Sequence, residues 1–329
     1  MSVWMLPVGV LLLGTVTYDA LSTTVVASSA GGPLTSRVAR AVWSIVGRFA
    51  RPGSVTMRLS GPVVVVLTVG TWLLLLWSGW ALIFSSSPDA VVTFLDGEPA
   101  DGWSRVYYAG FTIFTLGVGD VVPNGPPWQM LTGFAVASGL ALTTLAITYF
   151  IPVVTAVTVR RAQANSIAGL GASPHEIVLR SWHEGSFRWV EAQLPRLAEQ
   201  VLQTAERHLA YPILHYFHSA SPRTDLAIQL HALDEAVTIL EAGVTEPSRP
   251  HPQALAHFRH ATTQLLDNLD LDLASARTPA AIDLAPLRDA GIPTVDDATF
   301  ADQLDRLLEH RRRLSAFAAE SVWYERSAG

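Results

Sequence analysis

The chain has 329 residues, a formal net charge of −6 and no cysteine, and 50% of its residues are hydrophobic. Without cysteine, neither a disulfide framework nor a thiolate metal site is possible. Residues 162–329 hold 14 arginines against 22 acidic residues, a formal net charge of −8. A region this acidic lacks the clustered positive charge that phosphate backbones require, which excludes nucleic acid as a partner.

Three apolar stretches predict helices that cross a lipid bilayer. Residues 62–84 carry no charge, and as a helix they would reach roughly 35 Å, enough for a hydrocarbon core of about 30 Å. Residues 128–159 form a longer stretch. The first stretch, residues 3–17, is followed by Asp19, and the alternative for it is a cleaved signal peptide ending near residues 27–30. Signal peptides begin with a positive segment that this chain lacks, so we predict a retained span within residues 1–30.

The charged residues predict the orientation of these spans. Cytoplasmic loops of membrane proteins are enriched in arginine. The linker over residues 31–60 contains arginine and no acid, whereas residues 85–104 contain acids and no base. The arginines are Arg37, Arg40, Arg48, Arg51 and Arg58, and the acids are Asp89, Asp96, Glu98 and Asp101. We therefore predict a multi-pass protein of the cell membrane with its N-terminus outside and its C-terminal domain in the cytoplasm.

The arginine-rich linker also has an apolar face at helical spacing, formed by Val38, Val42, Ile45, Val46 and Phe49. This pattern predicts an amphipathic helix at the cytoplasmic membrane surface. Its role is either to transmit movement to the spans or simply to anchor the chain on anionic lipid.

A short apolar segment between the second and third spans, residues 103–123, carries the most specific pattern. Its apolar and aromatic residues are too few to cross a bilayer, and they suit a helix that enters the membrane and returns by an extended loop. Non-helical backbone at membrane depth is tolerated only where it is buried in protein or lines a water-filled path. The segment therefore predicts a re-entrant pore helix and a pore loop.

The loop resembles the filter of the potassium channel pore family, whose motif is Thr-hydrophobic-Gly-aromatic-Gly-Asp followed by a hydrophobic residue and proline. The matching residues are Thr115, Leu116, Gly117, Gly119, Asp120 and Pro123. The resemblance covers about residues 60–160. It implies an outer helix, a re-entrant pore helix, a filter loop and an inner helix, with four chains around one axis.

The resemblance also implies the roles of individual residues. The ion-binding residues of the filter would be Thr115, Leu116, Gly117, Val118 and Gly119, with potassium ions as the bound species and no other cofactor. Asp120, Tyr107 and Tyr108 would support the filter, with Tyr107 as the candidate to hydrogen-bond Asp120. Val118 departs from the usual aromatic residue and Phe114 from a common second threonine, which leaves the strictness of potassium selectivity open.

Two residues of the third span are candidates for a gating hinge. Gly139 lies where the family places its inner-helix glycine, and it either permits a bend or allows close helix packing. Pro152 predicts a kink near the cytoplasmic end of the same helix.

The second half of the chain predicts a helical domain. Ser173-Pro174-His175-Glu176 is typical of a helix start, and Phe300, Leu304, Leu307, Leu308, Leu314 and Phe317 predict one last long helix. Alternating strands and a glycine-rich dinucleotide turn are both missing from the sequence, so a nucleotide-binding fold is not expected. The His215/His218 and His257/His260 pairs have the spacing of weak metal-ligand candidates. No catalytic constellation is present.

Taken together, these patterns predict an all-α protein that is not an enzyme. Its predicted parts are an N-terminal span (1–30), an amphipathic linker (31–60), a pore domain (61–160) and a helical cytoplasmic domain (161–329). The leading hypothesis is one subunit of a homotetrameric, potassium-selective channel in the lipid bilayer, with an unknown cytoplasmic ligand or protein partner. The alternatives are a weakly selective cation channel and a membrane receptor or scaffold with a vestigial pore.

Overall fold

The computed structural model describes residues 4–25, 31–49, 54–269, 271–273, 278–321 and 323–324. The described chain is helical apart from one two-stranded ribbon, so the predicted all-α class is confirmed. It divides into two compact units. The first unit comprises Met1–Ile45 and Pro62–Val154, and the second comprises Val46–Gly61 and Thr155–Gly329.

Three helices are long and apolar enough to cross a membrane: α1 (Met5–Thr24), α3 (Val55–Ser85) and α5 (Pro126–Ala168). All three predicted spans are therefore helices. The second and third are longer than their apolar cores, because α3 begins before Pro62 and α5 continues past Arg160 to Ala168. The possible signal cleavage site at residues 27–30 lies outside the described residues.

The linker forms the predicted helix, α2 (Pro33–Phe49), and a buried carboxylate of α1 holds its first turn. Asp19 is fully buried. Its carboxylate accepts hydrogen bonds from the Leu34 N–H at 2.6 Å, the Thr35 N–H at 3.2 Å and the Thr35 hydroxyl at 2.8 Å. It also accepts a 2.8 Å bond from the indole N–H of Trp72 in α3. One carboxylate thus joins three helices and uses the free N–H groups of a helix start.

Glycines bring α1 and α3 into close contact. A Cβ atom placed on Gly9 would lie 2.7 Å from the carbonyl oxygen of Gly79, which is closer than real contacts allow. Such small residues let two membrane helices approach by their backbones. Together with Asp19, this contact makes α1 an integral part of the first unit.

The short helix predicted between the second and third spans is α4 (Gly102–Ile113). It begins at the N-cap Asp101, whose side chain accepts the Ser104 N–H at 2.7 Å. On either side of this helix and its following loop lie β1 (Val91–Thr93) and β2 (Val121–Pro123), which pair antiparallel. This ribbon was not predicted, because strands of three residues carry too little pattern to be recognised.

The second unit is a helical domain with one continuous apolar core. Its helices are α6 (Pro174–Ser181), α7 (Arg188–Ala210), α8 (Leu226–Thr238), α9 (Pro252–Asp267), α10 (Ala285–Asp289), α11 (Asp297–Arg306) and α12 (Leu308–Ala319). As predicted, Ser173 caps α6 by accepting the Glu176 N–H at 3.2 Å. Within its described residues, this unit forms no sheet.

The prediction of one last long helix was wrong. The chain leaves helical geometry at Leu307, with φ −95° and ψ 0°, and two helices result. The change of direction allows Phe300 on α11 and Leu314 on α12 both to be buried in the same core.

A buried network of charged side chains crosses the second unit. Asp234 of α8 is fully buried and pairs with Arg259 of α9 and His310 of α12. Burial alone would raise the pKa of Asp234, but the positive charge of Arg259 and the contact with His310 outweigh it and hold the pKa well below its ordinary value. Next to it, Arg311 forms a bidentate pair with Glu235, both bonds at 2.8 Å.

Candidate functional site

The loop that follows α4 begins as a helix cap. The Leu116 N–H donates to the carbonyl of Phe111 at 2.8 Å, and the Thr115 N–H donates to the carbonyl of Thr112 at 3.0 Å. These are the two bonds of a Schellman motif, in which the residue after the C-cap takes a left-handed conformation. That residue is Thr115, with φ +58°. The helix end therefore fixes the start of the loop by backbone hydrogen bonds.

Along the loop, the handedness of the backbone alternates. Gly117 and Gly119 repeat the left-handed conformation of Thr115, with φ +60° and +85°, whereas the described residues Leu116 and Val118 keep a negative φ. In an extended strand successive carbonyls point to opposite sides, but alternation between left- and right-handed residues turns successive peptide groups to the same side. The loop can therefore present a row of carbonyl oxygens along one edge.

The loop lies open on the surface of the protomer, and every residue from Phe114 to Asp120 is exposed. It follows the C-terminal end of α4, where the helix dipole places partial negative charge. Carbonyl oxygens and a helix C-terminus both attract cations. The arrangement therefore suits a positively charged ion with no side-chain carboxylate on the path between Thr115 and Gly119.

Polar side chains fix α4 against both long helices of the first unit. The Trp77 indole of α3 donates to the Val106 carbonyl at 2.8 Å. The Tyr108 hydroxyl is hydrogen-bonded to the Thr132 hydroxyl of α5 at 2.6 Å. A further bond joins the two long helices to each other, since the indole N–H of Trp80 in α3 donates to the Ser138 hydroxyl of α5 at 2.9 Å. The pore helix is thus held by directional bonds as well as by apolar packing.

Gly139 of α5 lies directly against the last residue of α4. A Cβ atom at Gly139 would be 2.0 Å from the carbonyl oxygen of Ile113 and 2.8 Å from its carbonyl carbon. No side chain fits there. Of the two roles considered for this glycine, close packing has a direct geometric basis in this contact.

A family model described as an ion channel matches residues 64–156, which contain α4, the loop and most of α5. The uncharacterized membrane protein YdjJ of Bacillus subtilis (strain 168) is 32% identical over 308 residues, which cover 93% of this chain and 90% of that protein. The chain belongs to the ion channel family of the two-transmembrane pore type. No solved structure matches it. The similarity to YdjJ extends well beyond residues 64–156, into the part of this ion channel that forms the helical domain.

The three residues predicted to support the filter make different contacts in the structure. Tyr108 is buried and braces α4, as described above. Tyr107 packs its ring against Phe111, with 5.1 Å between centroids, and within the described part of the protomer it makes no hydrogen bond to Asp120. The Asp120 carboxylate instead accepts the Val121 N–H at 3.0 Å, and its carbonyl accepts the Phe94 N–H at 2.9 Å. Asp120 therefore ties the filter loop to the β1–β2 ribbon.

A cavity of about 390 Å³ lies against the loop that follows α4. Its walls are mainly apolar and aromatic and include Tyr108, Phe111 and Val136, with the backbone of Gly117 and Gly119 on one side. Val118, the aliphatic replacement, is 49% exposed in the protomer. The loop is therefore not enclosed by the side chains of its own chain.

The remaining candidates lie away from the filter. α5 continues through Pro152 without ending, and the proline removes one backbone donor inside the helix. His215 and His218 lie in the second unit, and the described residues contain no group of three side chains that would hold a metal ion.

Sequence analysis did not predict the roles of Asp19, Trp77 and Trp80, whose side chains form hydrogen bonds between helices of the first unit. Asp19 carried a recognisable signal, since a carboxylate in a membrane span is costly and requires a partner. Trp77 and Trp80 resembled ordinary residues of an interfacial aromatic belt, and only the fold shows that they hydrogen-bond α4 and α5.

Proposed function

We propose that this ion channel is a potassium-selective, homotetrameric channel whose filter is formed by Thr115, Leu116, Gly117, Val118 and Gly119. The observation that supports the proposal is the alternating sign of φ along these residues, which allows successive carbonyls to turn to one side. A dehydrated potassium ion needs rings of oxygens in place of its water shell. Four such loops around one axis would supply those rings.

Thr115 adds a second argument. A left-handed residue after a helix C-cap is usually glycine, because any side chain is strained there. A threonine held at φ +58° therefore indicates a functional role for its side chain. In the proposed filter, the Thr115 hydroxyl supplies the innermost ring of ion ligands in addition to its carbonyl.

The exposure of the filter in one protomer supports assembly. An exposed row of carbonyls cannot surround an ion alone, and the open cavity behind the filter leaves room for a neighbouring copy. The arginines of α2 and the Arg160–Arg161 pair support a cytoplasmic placement of the second unit, since positive residues favour that side. The N-terminus would then be outside.

A second candidate, a weakly selective cation channel, is favoured by Val118. Its carbonyl is unaffected, but the filter lacks an aromatic ring that would pack around it. Under this reading, Val118→Tyr should raise the preference for potassium over sodium in the flux assay described next. An unchanged ratio in that variant would count against it.

The proposal is tested by ion flux through the purified protein in liposomes, with potassium and sodium gradients compared with and without barium. Thr115→Gly is the informative variant, because glycine accepts the same backbone conformation and removes only the side chain. We expect barium-blocked flux that favours potassium, retained in Thr115→Ser and lost in Thr115→Gly. Equal flux of both ions in the unmodified protein, or no flux, would contradict the proposal.

A further inference from the structure

In the second unit, a short segment contacts the ends of two long helices. This junction segment, residues 211–218, runs between α7 and α8 and includes a 3₁₀ turn at Pro212–Tyr216. The Tyr216 carbonyl accepts the hydroxyl of Ser60 from the first turns of α3 at 2.8 Å. The Leu214 carbonyl accepts the guanidinium of Arg160 from the last turns of α5 at 3.4 Å. The segment therefore contacts the helices that precede and follow the filter in sequence.

The contact with α3 is close. A Cβ atom placed on Gly61 would lie 2.5 Å from the ring of Phe217. No larger residue fits at this position unless the aromatic ring moves. A displacement of the junction segment would therefore act directly on the beginning of α3.

A cavity of about 30 Å³ borders the junction segment, which is room for about two water molecules. Its polar lining consists of Arg160, His208, His215, His218, Asp225 and Glu320. A guanidinium and imidazoles, all able to donate hydrogen bonds, thus share one small space. The size admits a single compact group and excludes a nucleotide.

The two acids of the cavity are already engaged. The Asp225 carboxylate caps α8 by accepting the N–H groups of Ala227 and Ile228. Glu320 lies 3.9 Å from the His215 ring, and 31% of its side chain is exposed to solvent. Arg160, by contrast, makes no ion pair among the described residues, and its one hydrogen bond there is the long contact to Leu214. A partly buried guanidinium without an anionic partner favours an anion and disfavours a metal cation.

We propose that this cavity binds a small oxyanion, the phosphate or carboxylate group of an effector, on the guanidinium of Arg160 with the imidazoles of His208 and His218 as further donors. Arginine suits this role because its planar fork matches two oxygens at once. The bound oxyanion would hold the junction segment against the end of α5. Binding itself does not depend on which ion the pore conducts, so it can be tested separately from the proposed selectivity.

The histidines add a pH dependence to the site. Burial, followed by the charge of Arg160, lowers the pKa of His208 to about 3. Burial, followed by His215 and then Arg160, lowers the pKa of His218 to about 4. Glu320, Asp225 and Arg160 are the other charged groups that line the cavity. A bound oxyanion would favour the protonated imidazoles, so its binding should take up protons and tighten as the pH falls.

The test uses the full-length protein in uncharged detergent, titrated with inorganic phosphate against chloride at equal ionic strength and followed by calorimetry and thermal unfolding. We expect phosphate to raise the unfolding midpoint. Sulfate, whose charge does not change over this range, should bind at least threefold more tightly at pH 6.0 than at pH 7.5. Arg160→Gln should lose at least tenfold in affinity and Arg160→Lys should lose less. The matched control is Arg161→Gln, at the exposed neighbouring residue, which should bind like the unmodified protein.

A lipid headgroup could supply the same chemistry, so a second arm compares phosphatidylcholine vesicles with and without anionic phosphatidylglycerol, in a buffer without inorganic phosphate. Stabilisation by phosphatidylglycerol that Arg160→Gln abolishes would identify a lipid as the source, and stabilisation by phosphate alone would identify a soluble effector. If neither anion stabilises the protein, or if Arg160→Gln and Arg161→Gln respond alike, the proposed site is wrong. An affinity for sulfate that does not change with pH would remove the histidines from the site.

Discussion

Gly139 lies so close to Ile113 that a methyl group on it would stand 2.0 Å from the Ile113 carbonyl oxygen. This carbonyl belongs to the last residue of α4, two residues before Thr115, where the proposed filter begins. Because neither backbone has room to move, a displacement of α5 at this point would displace the end of α4.

Gly139→Ala should therefore push α4 away from α5 and disturb the filter. We expect a loss of at least tenfold in ion flux, because neither backbone can yield without breaking hydrogen bonds. The control is Gly133→Ala in the same helix, where an added Cβ atom would have no neighbouring atom of the protomer within 4 Å. If Gly139→Ala conducts as well as the control, the contact does not position the filter.

Replacement of Asp19 by alanine should destabilise the first unit. The buried N–H groups of Leu34, Thr35 and Trp72 would lose their acceptor, and each unsatisfied group costs about 1–3 kcal/mol. We expect a clear fall in the thermal unfolding midpoint of the purified protein and a smaller fall for Asp19→Asn, which keeps one acceptor oxygen. Tyr18→Phe, at an exposed neighbouring position, should change little. Equal midpoints for Asp19→Ala and Tyr18→Phe would show that the network contributes no stability.

The buried pair of Asp234 and Arg259 should matter far more than a similar pair on the surface. Asp234→Asn removes the buried carboxylate and leaves the largely buried guanidinium with the part-exposed Glu241, 3.0 Å away, as its remaining acidic partner. Breaking a buried pair typically costs about 3–5 kcal/mol, and the remaining partner recovers part of this. Asp302→Asn removes an exposed pair with Arg306 four residues further along the helix, for which about 0–1 kcal/mol is expected. Denaturant unfolding of both variants measures the difference, and comparable losses would contradict it.

Acid should weaken the second unit through its buried histidines. The pKa values of His208 and His218 in the folded protein, about 3 and about 4, lie below the ordinary value of 6.5, so the unfolded chain takes up protons first as the pH falls. The stability that these neutral histidines contribute is complete above pH 6.5 and is lost progressively towards pH 4. The slope is at most about 1.4 kcal/mol per pH unit for each histidine.

The measurement is the free energy of unfolding against pH in phosphate-free buffer. His208→Gln and His218→Gln should each flatten the profile between pH 6.5 and 4. His183→Gln, at a ring that is largely exposed, should leave it unchanged. A profile that is identical in all three variants would exclude the buried histidines as its cause.

The sequence predicted the features that depend on local pattern. Charge-free apolar runs identified α3 and α5, and the Thr115–Asp120 motif identified the loop, because each signal lies within one continuous segment. The pair formed by Trp72 and Asp19 joins residues far apart in the sequence, and no local periodicity indicates it. The contact between Gly139 and Ile113 was only one of two possibilities until the packing of α4 on α5 was known.

Other differences have equally specific causes. The β1–β2 ribbon is too short to show alternation, and its pairing depends on the loop between the strands returning to the same side. The break at Leu307 interrupts an apolar pattern that continues on both sides, so periodicity alone could not reveal it. The cavity at Arg160 combines residues of five different segments, each of which is unremarkable in isolation.

The position of Asp19 also has a consequence for membrane insertion during synthesis. Among the donors that the Asp19 carboxylate accepts, the Trp72 indole is the most distant in sequence, and it is translated after α1 and α2. Before α3 enters the bilayer, the Asp19 carboxylate lacks this donor and has only the N–H and hydroxyl groups that α2 supplies. A carboxylate in a membrane helix is costly unless it is fully partnered. The hydrogen bonds that fix α1 are therefore complete only when α3 arrives, so α1 is translated before α3 but is not fully fixed before it.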